Sequence, residues 1–401
     1  MTEAALAAGT SEALARFLRA RTTANHAFFT AEAERLAGVC HLMAERFARG
    51  GRLVAFGQSP AARSDARHVA VEFVHPVIVG KRALPALGLA GAGGPLDTQV
   101  ELLARRDDIA IGFEAGDREV VAALRVARRL GCLTLAFAPG SGAEYEFIAP
   151  TADRSVAQEL VETLYHVLWE LVHVFFDHQG LLAGRAPRRS HDAGASGFLY
   201  PFLDQRERQL DPILADVARS VLVKAQETAA LRAQTLAENG PALHGAADAL
   251  RTCFEAGGQM LAFGNGGSAT DAMDAVADFR SASGGLRARP ALDLTEDPAI
   301  ITAIANDVGI EPVFLRQVIA YGRPGDALLA LSTSGNSANI VAALQEGRRR
   351  GMTSVAMVGY DGGQIASEAL ADHVIITRSQ HIPRIQEAQA TAYHALRELV
   401  G

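Results

Sequence analysis

Short apolar segments alternate with longer segments of helical spacing along the chain of 401 residues. Each apolar segment has the length of a buried strand, and the intervening segments place apolar residues three and four positions apart. Alternating β and α units of this kind predict a parallel sheet with helices on both faces. In the second half of the chain, the predicted strands lie near Met260–Phe263, Ala291–Leu294, Ala327–Leu331, Ser354–Val358 and His373–Thr377.

The sequence contains an internal repeat with a period of about half its length. Three segments occur twice in the same order, and they predict a strand with a glycine turn, a strand–loop–helix unit and a closing helix. Chance similarity between apolar strands does not easily produce three such segments in register. The pairs are 50–57 with 257–264, 114–124 with 333–344, and 163–172 with 391–400.

The repeat predicts two tandem domains of the same α/β class. We expect each to be a flavodoxin-like parallel sheet flanked by helices, with boundaries at 11–185 and 212–401. The segment 186–211 has the proline, serine and glycine content of an interdomain linker. Two long helical stretches, 11–49 and 212–255, precede the first strand of each domain, and we expect them to pack between domains or subunits.

Composition and charge exclude several classes of protein. Apolar residues make up 49% of the chain, enough for two cores, and a net charge of −7 disfavours non-specific binding to nucleic acid. The three cysteines form no CxxC motif, which fits a reducing cytosol. We expect no signal peptide, no membrane span or membrane partner, and a cytoplasmic location. We expect no nucleotide cofactor, because the sequence has neither a GxGxxG nor a Walker A motif.

Two loops in the second half have the composition of a phosphate site. Gly264–Ser268 lies between a strand and a helix, where glycines let the backbone approach an anion. Ser332–Ser337 also opens a helix, and its four hydroxyl groups and one amide exceed the single residue that an N-cap needs. Both loops follow strands of a predicted parallel sheet, and ligands of such sheets bind at the strands' carboxyl ends.

These loops, together with four further motifs, give the second half a specific resemblance. The motifs are Asn306–Gly309, Gly322–Asp326, Asp361–Gly363 and Arg384–Glu387. With them, 212–401 resembles the sedoheptulose 7-phosphate (phosphoheptose) isomerases, whose domain is the sugar-isomerase (SIS) domain. The first half resembles the SIS fold more generally. The resemblance implies a substrate-binding set that places Asp307 on the sugar and the others at the phosphate or beside it: Asn265, Gly266, Ser268, Asp307, Ser332, Thr333, Ser334, Ser337 and Gln386.

The resemblance also implies a quartet associated with zinc. In the family, a histidine and a glutamate lie four residues apart on the helix after the first loop, and a glutamine and a histidine lie eight apart on the last helix. The glutamate and the last histidine are the expected base and acid. The first half carries the whole set, so the expected Zn²⁺ ligands are His68, Glu72, Gln158 and His166.

The second half keeps only part of the quartet. Gln386 and His394 fall at the family positions, but Asp274 and Asp278 stand where the family has histidine and glutamate. Aspartate is one methylene shorter than glutamate, and a displacement of about 1 Å can slow a reaction about a hundredfold. The candidate catalytic residues are therefore two from each half: Glu72, His166, Asp278 and His394.

The phosphate loops show the opposite distribution. The first-half loops, 57–64 and 113–118, have fewer glycines, and acids replace hydroxyls. We therefore predict a composite inter-domain site, with phosphate held by the second half and the quartet supplied by the first. The predicted reaction is ketose–aldose isomerisation through an enediol, of sedoheptulose 7-phosphate to D-glycero-D-manno-heptose 7-phosphate. The resemblance further implies self-association to a dimer of four SIS domains.

Two other interpretations remain open at this point. A non-catalytic regulator that binds phosphosugars would explain Asp274 and Asp278, although it would not need the first-half quartet. A scaffold protein would need neither the quartet nor the serine loops. A single His-x-x-x-Glu pair on a helix is usually a surface ion pair, so His68 and Glu72 gain their meaning only from the complete set. The sequence leaves the identity of the sugar and the metal requirement open.

Overall fold

A computed structural model describes residues 12–78, 81–91, 93–114, 116–177, 182, 209–282 and 285–401. The predicted linker 186–211 lies almost wholly outside the described residues, so the domain boundaries stay a prediction. Among the described residues, no single helix is both long and apolar enough to cross a membrane. The helices Pro298–Val308 and Val313–Tyr321 reach that length only jointly, across a bend of 119°.

The first half forms strands and helices in the predicted alternation. Its elements in chain order are α1 (Glu12–Ala48), β1 (Leu53–Phe56), α2 (Pro60–Val74), β2 (Ala86–Leu89), α3 (Leu96–Leu103), β3 (Ile109–Gly112), α4 (Arg118–Leu130), β4 (Leu133–Ala136), β5 (Tyr145–Glu146) and α5 (Arg154–Asp177).

The second half repeats the order of strands and contains additional helices. Its elements are α6 (Leu210–Glu238), α7 (Gly240–Glu255), β6 (Met260–Phe263), α8 (Gly267–Arg280), β7 (Ala291–Asp293), α9 (Pro298–Val308), α10 (Val313–Tyr321), β8 (Ala327–Ser332), α11 (Ala338–Arg349), β9 (Thr353–Gly359), α12 (Gly363–Ser367), β10 (His373–Thr377) and α13 (Ile382–Val400). Each of the five strands predicted for this half is present.

Each half builds a five-stranded sheet in which all described strand pairs are parallel. The strand orders are β2-β1-β3-β4-β5 and β7-β6-β8-β9-β10. Numbered within its own half, each order is 2-1-3-4-5, which is that of flavodoxin-like folds. The predicted fold class is therefore confirmed. Successive strands are added toward one edge of each sheet up to the second strand and toward the other edge from the third, so the switch point lies between the first and third strands. The loops after β1 and β3, and after β6 and β8, flank this switch point.

The described chain divides into two compact units that do not coincide with the sequence halves. The first unit is Thr23–Gln226, and the second combines residues 12–22 with Glu227–Gly401. In the first unit, Ile213 and Val221 of α6 belong to the hydrophobic core. In the second, Leu14 and Phe17 of α1 belong to the core. Each half of the sequence therefore contributes a helical segment to the core of the other unit.

The helical stretch predicted at 212–255 is divided at Asn239, between α6 and α7. The Asn239 amide donates to the carbonyls of Thr235 (2.8 Å) and Ile376 (2.9 Å), and its oxygen accepts from Ile376 N (2.9 Å). Pro241 in the first turn of α7 lacks the N–H that a continuous helix would use. Asn239 thus ends one helix and ties it to the edge strand β10.

Candidate active site

Three members of the predicted first-half quartet meet in a buried cluster. His68 and Glu72 lie on adjacent turns of α2, and His166 lies on α5. Nε2 of His68 is 3.3 Å from Nε2 of His166 and 3.9 Å from Oε1 of Glu72. All three side chains are almost fully buried. Burial makes an uncompensated carboxylate costly, so this cluster favours a bound cation or a shared proton.

The donor set and its spacing fit a zinc ion. One donor atom from each of His68, Glu72 and His166 lies within 4.8 Å of the other two. Imidazole and carboxylate are usual zinc ligands, and tetrahedral Zn²⁺ with bonds of about 2.0 Å separates neighbouring donor atoms by about 3.3 Å. The His68–His166 separation of 3.3 Å equals that spacing. The fourth predicted ligand, Gln158, is half-buried, and its Nε2 has no hydrogen-bond partner among the described residues.

Tyr165 belongs to this cluster and was not predicted from the sequence. Its hydroxyl lies 2.9 Å from Nδ1 of His68, opposite the ring nitrogen that faces His166. A partner on the far ring nitrogen fixes the orientation and tautomer of a ligating imidazole. A sequence signal for this tyrosine existed in the third pair of repeated segments, 163–172 and 391–400. There Tyr165 and Tyr393 occupy equivalent positions next to the two histidines.

In the second half, Asp278 and His394 form a direct contact. Oδ2 of Asp278, in the last turn of α8, lies 3.0 Å from Nε2 of His394 on α13. The side chain of His394 is 1% exposed and that of Asp278 is 26% exposed. The shorter aspartate therefore still reaches the histidine. Asp274, one turn earlier on α8, and Gln386 on α13 are both buried.

The serine loop between β8 and α11 is stabilised by hydrogen bonds from its backbone N–H groups to its own serine hydroxyls. Oγ of Ser332 accepts from Gly335 N (3.2 Å), and Oγ of Ser334 accepts from Asn336 N (3.2 Å). Gly335 has a φ of +64°, and a Cβ there would clash with the carbonyl oxygen of Gly362. Ser337 is the N-cap of α11, but its side chain makes no capping hydrogen bond. Thr333 and Ser334 are half-buried.

The glycine loop lies across the switch point from the serine loop. Gly266 is the N-cap of α8 with a φ of 57°, and no side chain caps that helix. Asn265 and Asn339, at the start of α11, exchange two amide hydrogen bonds of 2.9 Å. Ser268 is buried in the first turn of α8. Two helix N-termini whose N-cap residues make no side-chain capping bond therefore lie side by side, an arrangement suited to an anion.

Asp307 is placed differently from the other predicted substrate ligands. It lies in the last turn of α9, a helix in which no residue is fully buried. Its carboxylate is exposed and accepts a hydrogen bond of 2.9 Å from the Asn306 amide.

The corresponding helix N-termini of the first half are capped by the chain itself. Oγ of Ser59 accepts from Ala62 N (3.2 Å) at α2. Oδ1 of Asp117 accepts from the backbone N–H groups of Glu119 (2.8 Å) and Val120 (3.3 Å) at α4. A carboxylate thus occupies the donors that a phosphate would use, and it would repel a second anion.

Comparison with known proteins places a family match in the second half of the chain. The family described as the SIS domain matches residues 225–359. A phosphoheptose isomerase from Nitratidesulfovibrio vulgaris is 40% identical over 188 residues, which cover 46% of this chain and 89% of the relative. One from Chlorobium phaeobacteroides is 48% identical over 151 residues, covering 37% and 66%. The chain belongs to the SIS-domain family. The resemblance inferred from the sequence motifs is confirmed.

The SIS fold extends over both halves of the chain. The C-terminal domain of glucosamine-fructose-6-phosphate aminotransferase from Francisella tularensis superposes with a TM-score of 0.60, covering 98% of this chain and 96% of that one. Sequence identity is 10%, so this likeness concerns the fold alone. The phosphoheptose isomerases account for less than half of this chain, and the likeness to the aminotransferase domain covers the rest.

Proposed function

We propose that this SIS protein isomerises a phosphorylated sugar between its ketose and aldose forms. The observation that carries the proposal is the 3.0 Å contact between Asp278 and His394. It lies in a domain in which the N-cap residues that follow the two phosphate loops make no side-chain capping bond. A carboxylate paired with an imidazole supplies the base and acid that such a reaction needs. Asp274 and Asp278 therefore need not mean that catalysis has been lost.

Proton transfer by this pair follows the ordinary enediol route. The Asp278 carboxylate takes the proton from C1 of the ketose, while His394 donates a proton to the C2 carbonyl oxygen, giving the enediol. The proton on the Asp278 carboxyl exchanges with water because that side chain is 26% exposed. Protonation of C2 by this carboxyl, with removal of the O1 hydroxyl proton by His394, gives the aldose. Burial of His394 limits exchange of its proton with water, which favours transfer within the site.

Phosphate binding is assigned to the second half. The hydroxyls of Ser334 and Ser337 and the backbone N–H groups in the first turns of α8 and α11 provide donors for a dianion. The Asp117 carboxylate makes the first-half position unsuitable for a dianion. The relatives named as phosphoheptose isomerases favour a heptose phosphate. We propose sedoheptulose 7-phosphate as the substrate and D-glycero-D-manno-heptose 7-phosphate as the product.

One SIS domain does not bring all these groups to one sugar. Gly267 and Asp278 are eleven residues apart on α8, or about 16 Å along the helix axis at about 1.5 Å per residue. The path from C2 to the phosphorus of a heptose 7-phosphate is about 9 Å when extended. A complete site therefore requires phosphate loops and an acid–base pair from different SIS domains. Because Asp278, His394 and the phosphate loops all lie in the second half, we propose that the other domain is the second half of another copy of the chain. The composite site with Glu72 and His166 from the first half stays a prediction, as does the dimer.

A Zn²⁺ ion is proposed for the first-half cluster. His68, Glu72 and His166 would hold it, with Gln158 as the candidate fourth ligand. Such an ion would polarise a carbonyl oxygen when bound. The chain's own contribution is to keep the two imidazoles and the carboxylate converging in a buried site, with Tyr165 orienting His68.

The test is isomerisation of sedoheptulose 7-phosphate in D₂O, followed by NMR with and without added zinc. We expect aldose formation with deuterium at C2, and we expect Asp278→Asn to abolish turnover while the sugar phosphate still raises the melting temperature. Asp248→Asn, an exposed aspartate on α7, is the matched control and should remain active. Ligand-induced stabilisation without turnover in the wild type would instead support a phosphosugar-binding regulator.

A further inference from the structure

Arg397 holds the end of helix α8 from the closing helix α13. It lies three residues after His394, and its side chain is buried. Nε donates to the Asp278 carbonyl (3.0 Å), and Nη2 donates to the carbonyls of Ser281 (3.1 Å) and Arg287 (2.7 Å). The last carbonyls of a helix lack the i+4 donor of the helix interior. The Asp278 carbonyl also accepts from Ser281 N (3.1 Å), and the guanidinium adds a second bond to it and links it to two further carbonyls.

Asp278 is therefore fixed twice by the same helix. Its carboxylate contacts His394, and its backbone carbonyl is bonded to Arg397. The guanidinium also lies 5.3 Å from the ring centre of Phe279, the next residue on α8. A planar guanidinium can bond several carbonyls and pack on a ring at once, which a lysine cannot do. The contacts leave the end of α8 little freedom to move away from α13.

In the described part of the first half, the equivalent position forms no such clamp. The repeat places Trp169 at the position of Arg397 and Glu72 at the position of Asp278. The indole Nε1 of Trp169 is buried without a hydrogen-bond partner among the described residues. The clamp thus occurs in the half in which the carboxylate is the shorter aspartate.

We propose that Arg397 is a positioning residue that holds Asp278 against His394 and so compensates for the missing methylene of aspartate. The inference rests on the proposed isomerase function for its catalytic consequence, but its structural claim stands separately. Without the clamp, the end of α8 relaxes outward and the Asp278 carboxylate moves out of hydrogen-bond range. A displacement of about 1 Å at the reacting groups is enough for a loss of about a hundredfold in rate.

The experiment compares Arg397→Met with the double variant Arg397→Met/Asp278→Glu. We expect the single variant to lose kcat about a hundredfold with KM changed less than about threefold, because phosphate binding lies elsewhere. The double variant should recover most of that loss, since glutamate spans the gap. Arg280→Met is the control: Arg280 lies on the same helix end and bonds the Ala291 carbonyl (2.7 Å), and its variant should keep the wild-type kcat.

A crystal structure of Arg397→Met separates this inference from the proposed function. We expect the Asp278–His394 separation to exceed hydrogen-bond distance in the variant. An unchanged separation, or a double variant no better than the single one, would overturn the positioning role. A wild-type protein without isomerase activity would count against the proposed function alone, while a lengthened separation in the variant would still support the clamp.

Discussion

The Tyr165 hydroxyl lies 2.9 Å from Nδ1 of His68, and this leaves the other ring nitrogen of His68 directed toward His166. The tyrosine therefore selects which nitrogen of His68 is available to a metal ion. Removal of such an outer partner typically weakens metal binding about 10- to 100-fold.

Tyr165→Phe should accordingly lower zinc affinity by about 10- to 100-fold while leaving the fold intact. Competition with a chromophoric chelator measures the affinity, and metal analysis of the dialysed wild type should give one zinc per chain. Tyr145→Phe, in strand β5, is the control and should bind zinc as the wild type does. Equal affinities for the wild type and Tyr165→Phe would remove Tyr165 from the metal site.

Phosphosugar binding should occur at one site per chain, because among the described helices at the two switch points the N-cap side chains of α2 and α4 make capping bonds and those of α8 and α11 do not. Ser337→Ala should weaken binding about 10- to 100-fold, as expected for loss of a hydrogen bond to a charged group. Ser59→Ala, the N-cap of α2 in the first half, should leave the affinity unchanged. Isothermal titration calorimetry gives both quantities, and two equivalent sites per chain would contradict the assignment.

Gly335→Ala should destabilise the protein by about 2 kcal/mol or more and abolish phosphosugar binding, because a Cβ at φ +64° clashes with the next loop. Gly116, its counterpart in the first-half loop, has no atom within 4 Å of a Cβ built there. Gly116→Ala should therefore be nearly neutral. Chemical denaturation of the two variants measures the difference, and equal stabilities would show that the serine loop tolerates a side chain.

Glu146 should make the first unit less stable in acid. Its carboxylate accepts from Ser141 Oγ (2.7 Å), Gly142 N (3.0 Å) and Gly140 N (3.1 Å), and these bonds, chiefly that from Ser141, lower its pKa. A lowered pKa in the folded state gives stability that is present above the pKa of the unfolded chain and lost as pH falls through the folded value.

Glu146→Gln should therefore show a smaller loss of stability than the wild type between about pH 5 and pH 3. Denaturation at several pH values measures the slope, with Glu144→Gln, an exposed neighbour, as the control. Parallel slopes for the wild type and Glu146→Gln would exclude a contribution from this turn.

The sheet order was predictable because the strand pattern and the repeat both constrain it. Alternating apolar and helical segments define the βα units, and the glycine turn after each first strand marks the switch point. The break at Asn239 was missed because α6 and α7 have the same periodicity, and only the contact with β10 divides them. A helix end that depends on a distant strand leaves no local signal.

The sequence predicted the residue types of the candidate site, but not which of their side chains come into contact. Spacing placed Asp278 and His394 at the family positions, yet the sequence could not show that the shorter aspartate still contacts the histidine. Arg397 was missed for a related reason. Its partners are backbone carbonyls more than a hundred residues away, which carry no residue-specific signal.

Because α1 and α6 each contribute to the core of the other unit, cleavage between the two halves would not yield two complete domains. A fragment ending before residue 209 would lack Ile213 and Val221 of its own core, and the remaining fragment would lack Leu14 and Phe17. Each piece would expose an apolar groove shaped for a helix carried by the other. The two fragments should therefore be insoluble when expressed alone and should reconstitute when expressed together. Neither half of the repeated sequence then folds without the other.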